Sequence, residues 1–162
     1  MQVIDVAAGL VFRGGKLLIT KRPDHAHLGG LWEFPGGKRH EGETFESCLA
    51  RELMEELGIE VIVGALIESL THAYPEKSVH LRFFHCTWQR HEPQPLDCAD
   101  VAWIGRGDLD RYEFPAADQR LLALLRAGED LWRIRASSQP ESGPPEGLRR
   151  AQSSRGTTNP PV

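Results

Sequence analysis

Residues 37–59 read GKRHEGETFESCLARELMEELGI. The spacing predicts a helix from about residue 44 to 57, with Gly58 where a helix C-terminal glycine belongs. At about 100° per residue, with Glu52 at zero, Glu55 falls about 60° to one side and Glu56 about 40° to the other. Leu49, Leu53, Leu57 and Met54 continue round from Glu56 as the apolar stripe. Glu52, Glu55 and Glu56 therefore share one narrow face at the margin of the buried one. Like charges at these spacings destabilise a helix by roughly 0.2–0.5 kcal/mol a pair. Nothing basic lies within the arc, and Arg51 sits beyond Glu55. Such a cluster needs solvent or a cation, and oxygen-only donors suit Mg2+ or Mn2+. A solvated acidic face would look the same on this helix, so the helix alone leaves both open.

Upstream, residues 3–12 and 17–21 read as strands joined at Gly14-Gly15 by a tight hairpin with positive φ angles. Residues 23–30 form a loop and 31–34 a short strand. Pro35-Gly36-Gly37 is a strong break before the helix. Downstream, strands are expected at 59–63, 65–72, 79–88 and 101–104, and a second helix from about 116 to 126. Several strands with two helices, not in strict alternation, indicate the α+β class or a mixed-sheet sandwich.

Residues 1–135 read as one globular domain. Residues 136–162, rich in Pro, Ser and Gly and without an aromatic side chain, are expected to be a disordered tail. The chain has 162 residues and a net charge of −4, with a pI of about 6.0. A protein that tracks polymeric nucleic acid usually carries a basic balance, so a small ligand is expected instead. Cys48, Cys86 and Cys98 are odd in number and form no C-x-x-C pair, so reduced thiols are expected. No apolar run approaches the roughly 18 residues of a membrane span. The opening MQVIDVAAGLVF reads as a strand rather than a leader. The expected location is the reducing cytoplasm. His80 and His85, five apart on a strand, face opposite sides, and Trp32, Trp88 and Trp103 read as core residues of strands rather than base-stacking platforms, with Trp32 a partial exception because it abuts the break at 35–37.

Gly37, Glu43, Arg51, Glu52, Leu53, Glu55, Glu56, Gly58 and Ile59 match G-x5-E-x7-R-E-U-x-E-E-x-G-U, with U aliphatic. Chance agreement at these positions is on the order of 10⁻⁷ or less per chain. In this the chain resembles the Nudix hydrolase superfamily. The lead WEFPGGK (32–38) and FPAAD (114–118) are similar to its MutT-like branch, and the likeness runs through roughly the first 130 residues. The resemblance implies a Nudix α/β/α sandwich with a mixed central sheet. It also implies metal-dependent attack of water on a phosphorus of a nucleoside triphosphate, releasing monophosphate and pyrophosphate.

Roles follow from the resemblance residue by residue. Glu52, Glu55 and Glu56 would ligate Mg2+, which Mn2+ can replace, and the Gly36 carbonyl would add a ligand. Glu52 is the candidate for activating water. Glu43 would be an outer ligand, and Arg51 would position the carboxylates. A further acid upstream of Trp103 is Asp97, with Asp100 as its competitor. Arg22 and Lys38 would meet the phosphates. Phe34, the loop Pro75-Glu76-Lys77 and Asp118 would surround the base.

An 8-oxo-dGTP diphosphatase, acting in nucleotide-pool sanitation and so in DNA repair, is the first functional expectation. Asp118 departs from the Asn usual in such enzymes: an ionised Asp only accepts hydrogen bonds, whereas Asn also donates. Hydrolysis of CTP or a modified dCTP is therefore the alternative. An ADP-ribose pyrophosphatase has no dedicated feature here. A nucleotide sensor that does not hydrolyse is the alternative of another class, and the complete set of box glutamates speaks against it.

Overall fold

The first strand has two buried faces. In β1 (Gln2–Arg13) Ala8, Leu10 and Phe12 join one apolar cluster, while Ala7 and Val11 join another. A period-two alternation with both sets apolar places a strand at the centre of a sheet. β2 (Lys16–Lys21) returns antiparallel through Gly14 and Gly15, whose φ angles of 55° and 76° suit the tight turn. On the other side β6 (Lys77–Arg90) runs parallel to β1, and β5 (Glu60–Ala73) runs antiparallel to β6. β3 (Trp32–Glu33) and β7 (Asp100–Ile104) pair with β2, and β4 (Gly36–Lys38) pairs with β1. The result is a mixed seven-stranded sheet with the order β3-β2-β1-β6-β5 along its main path. This computed structural model describes residues 2–133; the tail expected at 136–162, and the domain boundary at 135, lie outside the described residues.

Helices cover both faces. α1 (Phe45–Leu57) buries Cys48, Leu49, Leu53 and Leu57 against one face. Each fully buried leucine contributes roughly 1.5–3 kcal/mol relative to exposure. Thr44 caps the helix by accepting from the Ser47 N–H at 3.0 Å. Gly58, at φ 68°, closes it by donating to the Leu53 and Met54 carbonyls. α2 (Gln119–Ala127) and the short α3 (Glu129–Arg133) cover the opposite face through Leu121, Leu122, Leu125 and Trp132. This is the expected α/β/α sandwich. Among the described residues no helix is long and apolar enough to cross a membrane, and all three cysteines are free.

Four local expectations are corrected. Gly36-Gly37 does not form a turn but lies in β4, paired with Ala8 and Ala7. The glycines serve close approach: a Cβ at Gly36 would stand 2.0 Å from the Ala7 carbonyl oxygen. The strands expected at 59–63 and 65–72 are one strand, β5, because the interruption at Gly64 is absorbed as a register shift between Val63 and Leu66. Met54 is 41% exposed, and Cys48 takes its place in the buried stripe. The helix expected from residue 116 opens with a 3-10 turn, Ala116–Asp118; another such turn, Arg106–Arg111, and α3 were not anticipated, being too short for periodicity to reveal.

Because the neighbour of Gly36 is backbone, Gly36→Ala cannot be relieved by a side-chain rotation. The variant is expected to lose about 3 kcal/mol or more in urea unfolding. A stability within about 0.5 kcal/mol of the parent would show that β4 does not depend on this contact.

Candidate functional site

Three elements contribute to the site: β4, paired with β1, the helix α1, and the 3-10 turn Ala116–Asp118 that precedes α2. β4 brings Gly37 against α1 so closely that a Cβ there would lie 2.3 Å from the Glu52 carboxylate carbon. Glu52 thus rests on bare backbone, and its side chain is only 14% exposed. Glu55, one turn on, is 58% exposed.

Arg51 reaches further than its angular position indicated. Its Nε donates to Glu43 at 2.5 Å, and its Nη1 donates to Glu52 at 2.9 Å and to Glu55 at 3.2 Å. Nη2 donates to the Lys38 carbonyl at 3.1 Å, which ties α1 to β4. A long side chain folded across the acidic face therefore supplies the cation that the helical wheel places outside the arc. The bonds from Arg51 and from the His40 N–H hold the Glu43 carboxyl down at about 2, and Glu43 in turn raises the Arg51 pKa.

Glu56 stands in the opposite regime. Burial pushes its carboxyl up to about 8, aided by the charges of Glu52, Glu33 and Asp97, while a hydrogen bond from the Gly36 backbone works the other way. Asp97 is exposed, yet its charge is felt at Glu56. Asp100 is committed locally, accepting from the Val101 N–H at 2.8 Å. Among the described residues no three acidic, imidazole or thiol groups already converge as a metal cage. The donor chemistry nonetheless fits a hard divalent cation: carboxylate oxygens concentrated at a half-buried margin repel one another, and a cation would relieve that repulsion.

A cavity of about 340 Å3 runs from Glu56 past Gly36, Gly37 and Lys38 to Phe34 and Asp118. That volume is at the small end of ligand sites, roughly 300–1,000 Å3. Phe34 is fixed by stacking on Phe114 and by the edge of Phe83. Asp118 is buried, and desolvation followed by the charge of Glu33 lifts its carboxyl to about 6. Arg22 borders the cavity, with Nη1 on Glu33 at 2.7 Å and Nε on the His27 carbonyl at 2.7 Å.

The residues expected around the base are not all brought together. Pro75, Glu76 and Lys77 line a separate adjoining cavity of about 670 Å3, which shares Arg22, Lys38 and Val79 with the first. The turn at residues 74–76 joins the 14-residue strands β5 and β6, and Lys77 opens β6. Sequence reading missed Glu33 and Leu28, which both line the smaller cavity. Glu33 lay in plain view within WEFPGGK. Leu28, at φ 57° in the 23–30 loop, carried no signal in the sequence.

A family model described as NUDIX domain matches residues 7–124. A CTP pyrophosphohydrolase of Escherichia coli is 37% identical over 132 residues, covering 78% of this chain and 94% of its own. An 8-oxo-dGTP diphosphatase of the same species is 32% identical over 127 residues, covering 78% and 98%. A solved structure from work on MutT of Aliivibrio salmonicida and Vibrio cholerae superposes with a TM-score of 0.65 at 30% identity, covering 76% of this chain and 96% of that one. With the family model spanning most of the described residues and relatives matched over nearly their full length, this chain belongs to the Nudix hydrolase family, in the company of the MutT proteins.

Proposed function

We propose that the protein is an Mg2+-dependent nucleoside triphosphate pyrophosphohydrolase that releases monophosphate and pyrophosphate, with 8-oxo-dGTP as its first substrate. As a Nudix hydrolase it acts on phosphoric anhydride bonds. The observation that carries the finer reading is the continuity of one cleft from Glu56 to Asp118. A nucleotide laid along it would meet Glu56, of the acids assigned to the metal, and Asp118, the group assigned to the base.

In this reading Glu52, Glu55, Glu56, the Gly36 carbonyl and Asp97 are the groups that would hold Mg2+, or Mn2+ in its place. Bound there, the cation would neutralise charge on the phosphates and favour in-line displacement. Glu52, seated on Gly37 and held by Arg51, is the candidate to take a proton from the attacking water. Arg51 and Glu43 position it, and Arg22 and Lys38 offer cations to the phosphate chain. The ligand is a small nucleotide, not a polymer or a membrane, and the proposed compartment is the cytoplasm.

Asp118 favours two readings at different pH. Protonated, it donates and can serve 8-oxoguanine; ionised, it only accepts and suits the exocyclic amine of cytosine. Its carboxyl titrates near 6, well above its ordinary 3.8. The donor form therefore dominates below about pH 6 and is lost as pH rises through that value. CTP is accordingly the second reading, strongest at neutral pH.

The purified protein with Mg2+ is expected to split 8-oxo-dGTP far faster than dGTP and to yield pyrophosphate. Tight binding without turnover of any triphosphate would instead indicate a sensor. Gly37→Ala, which displaces only the end of a side chain, is expected to keep the fold and to lose about 100-fold or more in kcat. Full activity in that variant would remove Glu52 from the mechanism. The ratio of kcat/KM for 8-oxo-dGTP over CTP should rise several-fold between pH 7.5 and pH 5.5, the comparison of two substrates cancelling effects on the shared chemistry. A ratio that does not change with pH would show that Asp118 does not read the base.

A further inference from the structure

Arg39 has no place in the chemistry above and falls at an unspecified position of the family signature, yet it makes a dense set of contacts. It follows β4 directly. Its Nη2 and Nε reach the same oxygen of Asp5, at 2.6 and 3.3 Å. Its Nη1 donates to the main-chain carbonyl of Glu43 at 2.9 Å. The guanidinium also lies over the Phe45 ring, 5.1 Å from its centroid. One planar group thus joins β1, the end of the loop before α1 and the first residue of α1.

Asp5 is itself fixed. Its second oxygen lies 3.3 Å from His80 Nδ1, and His80 Nε2 lies 3.0 Å from the Ser69 hydroxyl. Three adjacent strands, β5, β6 and β1, therefore anchor the carboxylate that Arg39 grips. The Arg39 guanidinium, ahead of a smaller contribution from His80, holds the Asp5 carboxyl below its usual range. An exposed ion pair is worth little. This one is different in kind: both partners are about three-quarters covered, and the rigid fork of Arg serves two acceptors at once, which a Lys ammonium matches poorly.

The contact with Glu43 gives the arrangement its consequence. Arg39 holds the backbone of Glu43, while Arg51 holds its carboxylate with two bonds, at 2.5 and 3.0 Å. Arg51 passes directly to Glu52 at 2.9 Å. The two guanidiniums act in series through Glu43, from the sheet to the carboxylate that rests on Gly37. Resting on the pyrophosphohydrolase reading given above, we infer that Arg39, anchored on Asp5, is a positioning residue that sets the site carboxylates through Glu43 and Arg51.

The test is a double-mutant cycle in the full chain with Arg39→Met and Glu43→Gln, read as kcat and KM for 8-oxo-dGTP and CTP, beside the Mn2+ dissociation constant from the electron paramagnetic resonance of free Mn2+. Arg39→Met is expected to lower kcat about tenfold or more, with KM changed less than about threefold. Mn2+ should bind about fivefold more weakly. Because the link is already broken in Glu43→Gln, the double variant should lie within about threefold of Glu43→Gln alone. Multiplied losses in kcat, or an unchanged Mn2+ constant, would overturn the inference and leave Arg39 as a fold contact only. Should Arg39→Met fail to fold, Asp5→Asn, which keeps the Glu43 contact but loses the anchoring charge, is expected to show the same kcat effect in milder form; an unchanged kcat there counts against the inference. Absence of turnover in the parent protein would defeat the pyrophosphohydrolase reading, and the Mn2+ constants would then decide the role of Arg39.

Discussion

The approach of β4 to β1 is the constraint on which the rest depends. Two strands can come this close only where one of them lacks side chains, and Gly36 provides that against the Ala7 carbonyl. The same bare stretch, one residue on, gives the Glu52 carboxylate its floor. Sheet packing and the placement of the site are thus one event. The Glu52 carboxylate against Gly37 and the Arg51 bond to the Lys38 carbonyl tie α1 to β4.

On that frame the charges are sorted by partner. Glu43, held by Arg51 and by the His40 N–H, stays ionised far below its usual range. Glu56, partly buried and facing other acids, is pushed to about 8. Glu43, bonded to Arg51, and Glu56, crowded by other acids, thus differ by several pH units in proton affinity through burial and neighbours. A structural acidic patch would be expected to relax this repulsion by exposure. Here the folded core on one side and β4 on the other prevent it.

Much of this was legible in the sequence, because α1 is long, strongly periodic and bounded by Thr44 and Gly58, and because the Nudix signature fixes nine positions against each other. The hairpin at Gly14-Gly15 was equally plain, its turn chemistry being local. What failed was whatever depended on contacts between distant segments. Gly36-Gly37 looks the same in sequence whether it turns or lies flat, and only the nearness of Ala7 decides. The wheel placed Arg51 outside the acidic arc because it tracks Cα positions, while an arginine side chain spans a turn of helix. The turn at Pro75–Lys77, assigned to the base by likeness, lines a cavity that shares Arg22, Lys38 and Val79 with the one holding Phe34 and Asp118.

Glu33 shows what such reading leaves out. It belongs to no ligand set by pattern, and it pairs with Arg22. Yet its charge raises both Glu56, at the carboxylate end of the cleft, and Asp118, at the other. Coulomb interaction in a partly dehydrated cavity falls off slowly enough for one carboxylate to act on both. The two ends are therefore not independent. Any change that alters the compensation of Glu33 by Arg22 shifts proton affinity at both in the same direction, because both are acids facing the same charge. Arg22 lines the same cavity, so the pair Arg22–Glu33 couples the proton affinities of Glu56 and Asp118.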